Sequence, residues 1–149
     1  FVEAKKEGEF DLVIVTHCNV IIVELKDWNH QPVTARGDTW YKGDKNMGRS
    51  PVSVTRGKKF MLDNKLKRLT NCFTNKGYTP IVHFFVVMTG NADFSALPKE
   101  QLHHTISLKD FLKFSDRRTF NKRFKPRRGS EVLNKDFHLF DNLFLGRQT

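Results

Sequence analysis

The chain has 149 residues, and 26 lysines and arginines against 16 aspartates and glutamates give it a formal net charge of +10. One domain is expected at this length, and a hydrophobic fraction of 38% supports a packed core, which excludes a wholly disordered chain. No apolar run approaches the ~20 residues of a membrane-spanning helix, and the first residues lack the apolar stretch of a signal peptide. The excess of positive charge favours a polyanionic partner, most commonly nucleic acid.

The two cysteines, Cys18 and Cys72, are too few for a disulfide framework and suit a reducing, cytoplasmic compartment. Together with the histidines they form neither a CxxC nor an HxxxH pair, so a zinc site is not expected. Because the sequence does not begin with methionine, we expect a piece of a longer protein with further domains. Residues 1–149 are predicted to form one domain, whose helical and basic C-terminal part is 107–149.

Two apolar, β-branched runs come first. Phe10–Thr16 and Val20–Lys26, separated by three residues, predict a β-hairpin. Apolar residues occupy both parities of each strand, so we expect a sheet that is covered on both faces. Val33–Arg36 and Thr39–Lys42 flank a Gly-Asp pair and predict a second, short hairpin. The polar, glycine-bearing stretch Lys42–Ser50 is then predicted to be a loop.

Ser50-Pro51 predicts the start of a long helix, because serine is a favoured N-cap and proline is tolerated at the first helical position. The helix is expected to run to about Asn75, with an apolar stripe made by Leu62, Leu66, Leu69 and Phe73. The rest of its surface is predicted to carry its basic residues: Lys58, Lys59, Lys65, Lys67 and Arg68.

The second half of the chain predicts one more buried strand, Ile81–Met88, followed by a loop over Thr89–Pro98. Ser107 is predicted to cap a helix through Phe114. A further helix is expected to start at Ser115-Asp116, and Glu131–Leu145 is an amphipathic stretch that could be helical. Strands followed by helices in this order predict a mixed α/β domain.

The segment Lys113–Arg128 has eight basic residues against one acid, Asp116. Such a density of charge suits contacts with a phosphate backbone, whose strength depends steeply on salt, although charge runs are usually solvated faces. The predicted nucleic-acid contacts are Arg117, Arg118, Lys122, Arg123, Arg127 and Arg128, together with Lys58 and Lys59 on the long helix.

Three charged residues, Asp11, Glu24 and Lys26, interrupt the first predicted hairpin. A buried ion costs several kcal/mol unless it is paired or binds a metal, so such charges need a reason. Glu24 and Lys26 are two residues apart in one strand and therefore share a face of the sheet. If residues 18 and 19 form the turn, Asp11 pairs with Lys26 about 5 Å away and lies about 7–8 Å from Glu24.

That register places all three charges on one face, and Glu9 has the parity to extend the cluster. The arrangement depends on the turn, because a one-residue slip would move Asp11 to the opposite face. Taken alone, so short a pattern is more often a structural salt-bridge cluster at the end of a strand.

Two carboxylates at this separation can hold Mg²⁺ or Mn²⁺, which take oxygen ligands and keep several waters. Such an ion polarises a phosphodiester and supplies a nucleophilic hydroxide, and a neighbouring ammonium can orient or deprotonate the attacking water. The parts therefore favour metal-dependent phosphodiester hydrolysis. In this interpretation Asp11, Glu24 and Glu9 are metal ligands, and Asp11, Glu24 and Lys26 are the catalytic residues.

The charges belong to a longer pattern. Gly8–Val15 forms an acidic-x-Asp strand, and Val20–Trp28 is an apolar strand ending in Glu-x-Lys-x-Trp. A later tryptophan, Trp40, and the proline of Ser50-Pro51 follow. The pattern resembles the nuclease-related domain (NERD) family of the PD-(D/E)XK, restriction-endonuclease-like superfamily, over about Gly8–Leu69.

The resemblance implies an α/β restriction-endonuclease-like core, with a central mixed β-sheet flanked by α-helices. It implies an endonuclease with Asp11 and Glu24 as ligands of Mg²⁺ or Mn²⁺ and Lys26 as the catalytic lysine. The expected substrate is DNA. Little sequence specificity is expected, because phosphate contacts position a nucleic acid without reading its sequence.

The chain departs from the family pattern at three points: Asn29-His30 stands where a glycine is usual, Ser50 where asparagine is usual, and Val54 where a helical glutamine is usual. These departures suit an alternative, a catalytically weak or inactive nucleic-acid-binding module of a larger protein. A metal-dependent ribonuclease is the third possibility, since contacts to a 2′-hydroxyl leave no recognisable pattern in a sequence.

Overall fold

A computed structural model of the chain describes residues 10–16, 19–68 and 81–124. A four-stranded sheet, ordered β1-β2-β6-β7, lies at the centre. Strand β1 (Leu12–Val15) pairs antiparallel with β2 (Asn19–Lys26), which pairs parallel with β6 (Ile81–Met88). Strand β7 (Thr105–Ser107) adds to β6 in parallel. The sheet is therefore mixed, as predicted.

Both faces of this sheet are covered, because the side chains of β2 alternate between two cores. Val20 and Ile22 belong to the core beneath helix α1 (Pro51–Arg68). Ile21 and Val23 face the other way, toward phenylalanines of the chain after β7. The expected α/β architecture with flanking helices is confirmed, and none of the helices in the described ranges has the length and apolar character to cross a bilayer.

The register of the first hairpin differs from the prediction by two residues. Leu12 pairs with Val23, and the backbone amide of Thr16 donates to the carbonyl of Asn19 at 2.9 Å. The predicted pairing of Asp11 with Lys26 is therefore wrong, because Val15 pairs with Val20 and not with Ile22. A shift of two preserves parity, so every side chain keeps its predicted face.

The stretch predicted as a loop after the second hairpin contains another strand. Strands β3 (Val33–Arg36), β4 (Thr39–Lys42) and β5 (Lys45–Arg49) form a separate antiparallel sheet. The turn between β4 and β5 uses Gly43 at a φ of 58°, a left-handed conformation that glycine adopts without steric cost. Strand β5 was not predicted because Met47 is its one apolar side chain, too few for an alternating pattern.

Helix α1 begins where the sequence predicts. The Ser50 hydroxyl oxygen accepts the backbone amide of Ser53 at 3.3 Å, and Pro51 is the first helical residue. Ser50 is fully buried and donates to Oε1 of Gln101 at 2.7 Å, and the Trp40 indole donates to the same oxygen. This shared acceptor joins the second sheet to the start of α1.

The chain after β6 holds several short helices: α2 (Lys99–Leu102), α3 (Leu108–Leu112) and α4 (Arg117–Arg123). Ser107 caps α3 and Asp116 caps α4, as predicted, with a 3₁₀ turn between them. Helix α2 and strand β7 were not predicted, because both are too short for a periodic pattern. The predictions for Glu9, Leu69–Asn75, Arg127, Arg128 and Glu131–Leu145 lie outside the described residues.

Two loops at the carboxyl ends of β2 and β6 are hydrogen-bonded to each other. The amide of Ala92 donates to the Trp28 carbonyl at 3.1 Å, and the amide of His30 donates to the Asn91 side chain at 2.8 Å. His30 has a φ of 73°, a conformation that costs a non-glycine residue about 1 kcal/mol. A glycine at this position would avoid that cost.

Replacing Gly90 with alanine is expected to destabilise the fold. An added Cβ would lie 2.1 Å from the Trp28 carbonyl oxygen, so the two loops would have to separate. We expect the free energy of unfolding in urea to fall by about 1–3 kcal/mol. Gly57→Ala in α1 is the matched control, because its Cβ meets nothing within 4 Å and alanine favours the helix by up to ~1 kcal/mol. Equal stability of Gly90→Ala and the wild type would contradict the prediction.

A second prediction concerns pH. His83 hydrogen-bonds through Nε2 to Oδ1 of buried Asn19 at 2.9 Å, and burial is the main cause that lowers its pKa to about 4, with smaller repulsion from Arg123 and Lys59. Between pH 4 and the ordinary pKa of 6.5 the unfolded chain binds more protons than the folded one. The free energy of unfolding therefore holds above about pH 6.5 and decreases as the pH falls toward 4.

His83→Gln keeps a partner for Asn19 and removes this titration. We expect urea unfolding at about pH 7.5 and about pH 5 to show a smaller loss of stability in the variant than in the wild type. The pKa of His104 is also lowered, chiefly by burial, and supplies a pH dependence common to both proteins. An NMR titration that placed the His83 pKa near 6.5 would overturn the argument.

Candidate active site

The three charges of the first hairpin lie on the face of the sheet that α1 covers. Glu24 and Lys26 have the parity of Val20 and Ile22, which belong to the core beneath α1. Val13 packs on the same side, and Asp11 shares its parity. The register therefore places Asp11, Glu24 and Lys26 on one face of the sheet, as predicted.

Asp11 lies across from Glu24, one step beyond the last paired residues, Leu12 and Val23. Its Oδ2 accepts the backbone amide of Leu25 at 2.8 Å, which fixes the Asp11 carboxylate beside the residue that follows Glu24. The carboxylates that were predicted to lie diagonally thus come from opposed positions. Opposed residues on one face have Cβ atoms about 4.5–5.5 Å apart, a closer approach than the predicted diagonal.

Glu24 lies between two ammonium groups. Its Oε1 is 3.8 Å from Nζ of Lys26, and its Oε2 is 3.5 Å from Nζ of Lys58. The Glu24 side chain is only 15% exposed, so its negative charge is poorly screened by solvent. Two cations on one partly buried carboxylate offset the cost of removing it from water.

The backbone and the ring beside Lys26 hold it in place. The Lys26 carbonyl accepts the amide of Thr89 at 2.9 Å, which ties the end of β2 to the end of β6. Its Nζ lies 5.9 Å from the centre of the Trp28 ring, within the range of a cation–π contact. Trp28 in turn meets the fully buried Trp40 edge-on. The Glu-x-Lys-x-Trp pattern thus builds a support for the lysine.

Lys58 is not on the outward surface of α1, where it was predicted. It lies three residues after buried Thr55 and four before buried Leu62, on the stripe of the helix that faces the sheet. Its side chain is 17% exposed. The prediction was wrong because only apolar residues were used to define the stripe. The spacing of four residues from Lys58 to Leu62 and from Leu62 to Leu66 could have shown that Lys58 lies on the same face of the helix.

The donor set fits a hard divalent cation that retains much of its water. Asp11 and Glu24 supply carboxylate oxygens from adjacent strands, and Mg²⁺ is commonly bound through one or two carboxylates. Among the described residues, no group of three or more His, Cys, Asp or Glu side chains could hold a metal ion. Asp11 and Glu24 therefore offer at most two carboxylate ligands at this place, and Glu9 lies outside the described ranges.

The predicted nucleic-acid contacts divide between the two sides of the sheet. Lys58 and Lys59 lie on α1, and Lys59 pairs with Asp63 at 3.3 Å. Helix α4 packs through Phe120 and Phe124 on the opposite face. Its exposed basic residues, which are Arg117, Arg118, Lys122 and Arg123, are therefore not brought together with Glu24 and Lys26.

His83 also lies away from the three charges. It pairs with Ile21 in the parallel register, whereas Glu24 pairs with Val86 nearer the other end of the strands. Its ring contacts Phe124 at a centroid distance of 5.0 Å, on the α4 side of the sheet. This position suits a structural histidine and not a general base for the three charges.

A model of the nuclease-related domain (NERD) family matches residues 2–89. No curated protein and no solved structure matches the chain. The matched region contains Asp11, Glu24, Lys26 and Lys58, and it ends one residue after β6, before the basic helix α4. Because the match covers more than half of the chain, the protein belongs to the nuclease-related domain family.

Proposed function

We propose that this protein is a divalent-metal-dependent nuclease that hydrolyses DNA phosphodiester bonds with little sequence specificity. The observation that carries the proposal is the side-by-side placement of Asp11 and Glu24, with Lys26 on the same face, in a chain of the nuclease-related domain family. A structural salt bridge needs one acid and one base. It does not need a second carboxylate directed at the same strand.

In this proposal Asp11 and Glu24 hold Mg²⁺ or Mn²⁺, which supplies Lewis acidity and a lowered pKa for bound water. The Lys26 ammonium, held beside Glu24 and above Trp28, orients the attacking water. The same ammonium stabilises negative charge that develops on the phosphate oxygens. The Glu24 side chain is 15% exposed, so these interactions act where water screens them poorly.

DNA is supported as the substrate by the net charge of +10, which suits electrostatic contacts with the phosphates of a polyanion. Contacts of this kind hold the backbone without distinguishing bases, which is why we propose little sequence specificity. RNA would satisfy the same charges, so it belongs in the test as a parallel substrate.

The test is cleavage of supercoiled plasmid and of labelled single-stranded DNA with Mn²⁺, Mg²⁺ or EDTA. We expect metal-dependent nicking that Lys26→Ala reduces by about 10²–10⁴-fold, the range that a positioned acid–base group contributes. Glu24→Gln should lose activity with either metal, because it removes a ligand charge while it preserves the side-chain volume.

Lys45→Ala is the matched control, since it removes the same charge from exposed strand β5. Equal activity of wild type and Lys26→Ala would contradict the assignment of Lys26 and point to a contaminating nuclease. Cleavage of labelled RNA alone would make the protein a ribonuclease. Salt-sensitive DNA binding without any cleavage would favour a nucleic-acid-binding module, in which the two lysines serve only to neutralise Glu24.

A further inference from the structure

We propose that Lys58 is a positioning residue that acts as an internal counter-ion of Glu24. It is released when a divalent cation binds and then contacts the phosphate, so that cation and nucleic acid bind cooperatively. The inference rests on the proposed function, because it assumes that Glu24 is a metal ligand. It gives Lys58 a role beyond that of a basic residue tracking a phosphate backbone.

The position of Lys58 is costly for stability. The stripe of α1 that faces the sheet includes the buried side chains of Val52, Thr55, Leu62 and Leu66. A lysine in that stripe loses the hydration of its ammonium group, and it loses more side-chain entropy than an apolar residue would. Its ammonium contacts Glu24 at 3.5 Å, so the position is matched to the carboxylate.

Among the described residues of the site, negative and positive charges are equal in number. Asp11 and Glu24 carry two negative charges, and Lys26 and Lys58 carry two positive ones. Each oxygen of Glu24 already faces one ammonium, at 3.8 Å for Lys26 and 3.5 Å for Lys58. A divalent cation on Glu24 would therefore be repelled by a neighbouring ammonium unless that group moved away.

Of the two lysines, Lys58 is the one placed to move. Lys26 has its carbonyl tied to Thr89 and its ammonium above Trp28. Lys58 reaches Glu24 from the helix across the space between two layers, on a flexible four-carbon stem. Once released, its ammonium carries an unpaired charge beside the site, which favours a phosphodiester.

Cooperativity follows from this exchange. A cation that displaces Lys58 increases the affinity for phosphate, and a phosphate that draws Lys58 away increases the affinity for the cation. The two effects are equal, because a coupling free energy between two binding sites is reciprocal.

The experiment measures Mn²⁺ binding to the whole chain by the EPR signal of the free ion, with Lys58→Met and Lys59→Met compared to wild type. Both variants remove one charge and keep an unbranched stem, but Lys59 pairs with Asp63 instead of Glu24. We expect Lys58→Met to bind Mn²⁺ about five- to tenfold more tightly without DNA. Lys59→Met should differ from the wild type by less than about twofold.

The reciprocal arm measures the affinity for a phosphorothioate oligonucleotide by fluorescence anisotropy, with and without excess Mn²⁺. Wild type and Lys59→Met should gain affinity for the oligonucleotide with the ion. Lys58→Met should lose most of that gain, and Lys58→Arg should retain it because the charge is kept. The Arg variant also guards against a folding defect in Lys58→Met.

The failures are distinguishable. The role of Lys58 would be overturned if Lys58→Met bound Mn²⁺ no more tightly than the wild type, or if Lys59→Met gained as much affinity for Mn²⁺. In that case, loss of Mn²⁺ binding in Glu24→Gln would still support the metal site. The proposed metal-dependent function itself would be overturned if the wild-type protein showed no saturable Mn²⁺ binding, or if that binding did not depend on Glu24.

Discussion

The arrangement of the site depends on the two-residue period of strand β2. This strand is paired on both edges and buried on both faces over Val20–Val23, so its register cannot slip without moving apolar side chains into solvent. The same period then carries Glu24 and Lys26 onto the α1 side. Packing of the strand's first half thus determines where the charges of its second half point, and pairing with β1 brings Asp11 beside them.

The Glu24 carboxylate lowers the stability of the layer between the sheet and α1 unless its charge is balanced. A partly buried carboxylate is costly, and two lysines at 3.8 and 3.5 Å offset that cost. A protein selected only for stability would place apolar side chains here, since well-packed hydrophobic replacements of buried ion pairs are often neutral or stabilising. The stability of the sheet alone gives no reason for four charges at this place, which supports the proposed function.

Features that arise from short-range chemistry could be predicted from the sequence. The start of α1 at Ser50-Pro51 and the cap of α3 at Ser107 are local hydrogen-bonding choices. The residue opposite Asp11 could not be predicted, because it depends on where a turn begins. The predicted face of the sheet was still correct, because an error of two residues preserves parity. Strand β5 and the orientation of Lys58 were missed for a shared reason. A hydrophobic pattern detects an apolar side chain that packs, and it overlooks a polar one held in place by a long-range partner.

The sheet also separates two kinds of positive charge. Lys26 and Lys58 lie on the α1 side and are paired with a carboxylate, whereas the arginines of α4 are exposed on the other side. The guanidinium of Arg123 also lies over the rings of Phe85 and Phe124, so this side chain contributes to packing as well as to charge. Under the proposed function, a phosphate that reached Glu24 would meet the α1 layer and its two lysines. The arginines of α4 lie beyond the region matched by the family. The positive charge of these described residues is thus divided between the two faces of one sheet, paired with a carboxylate on one face and exposed to solvent on the other.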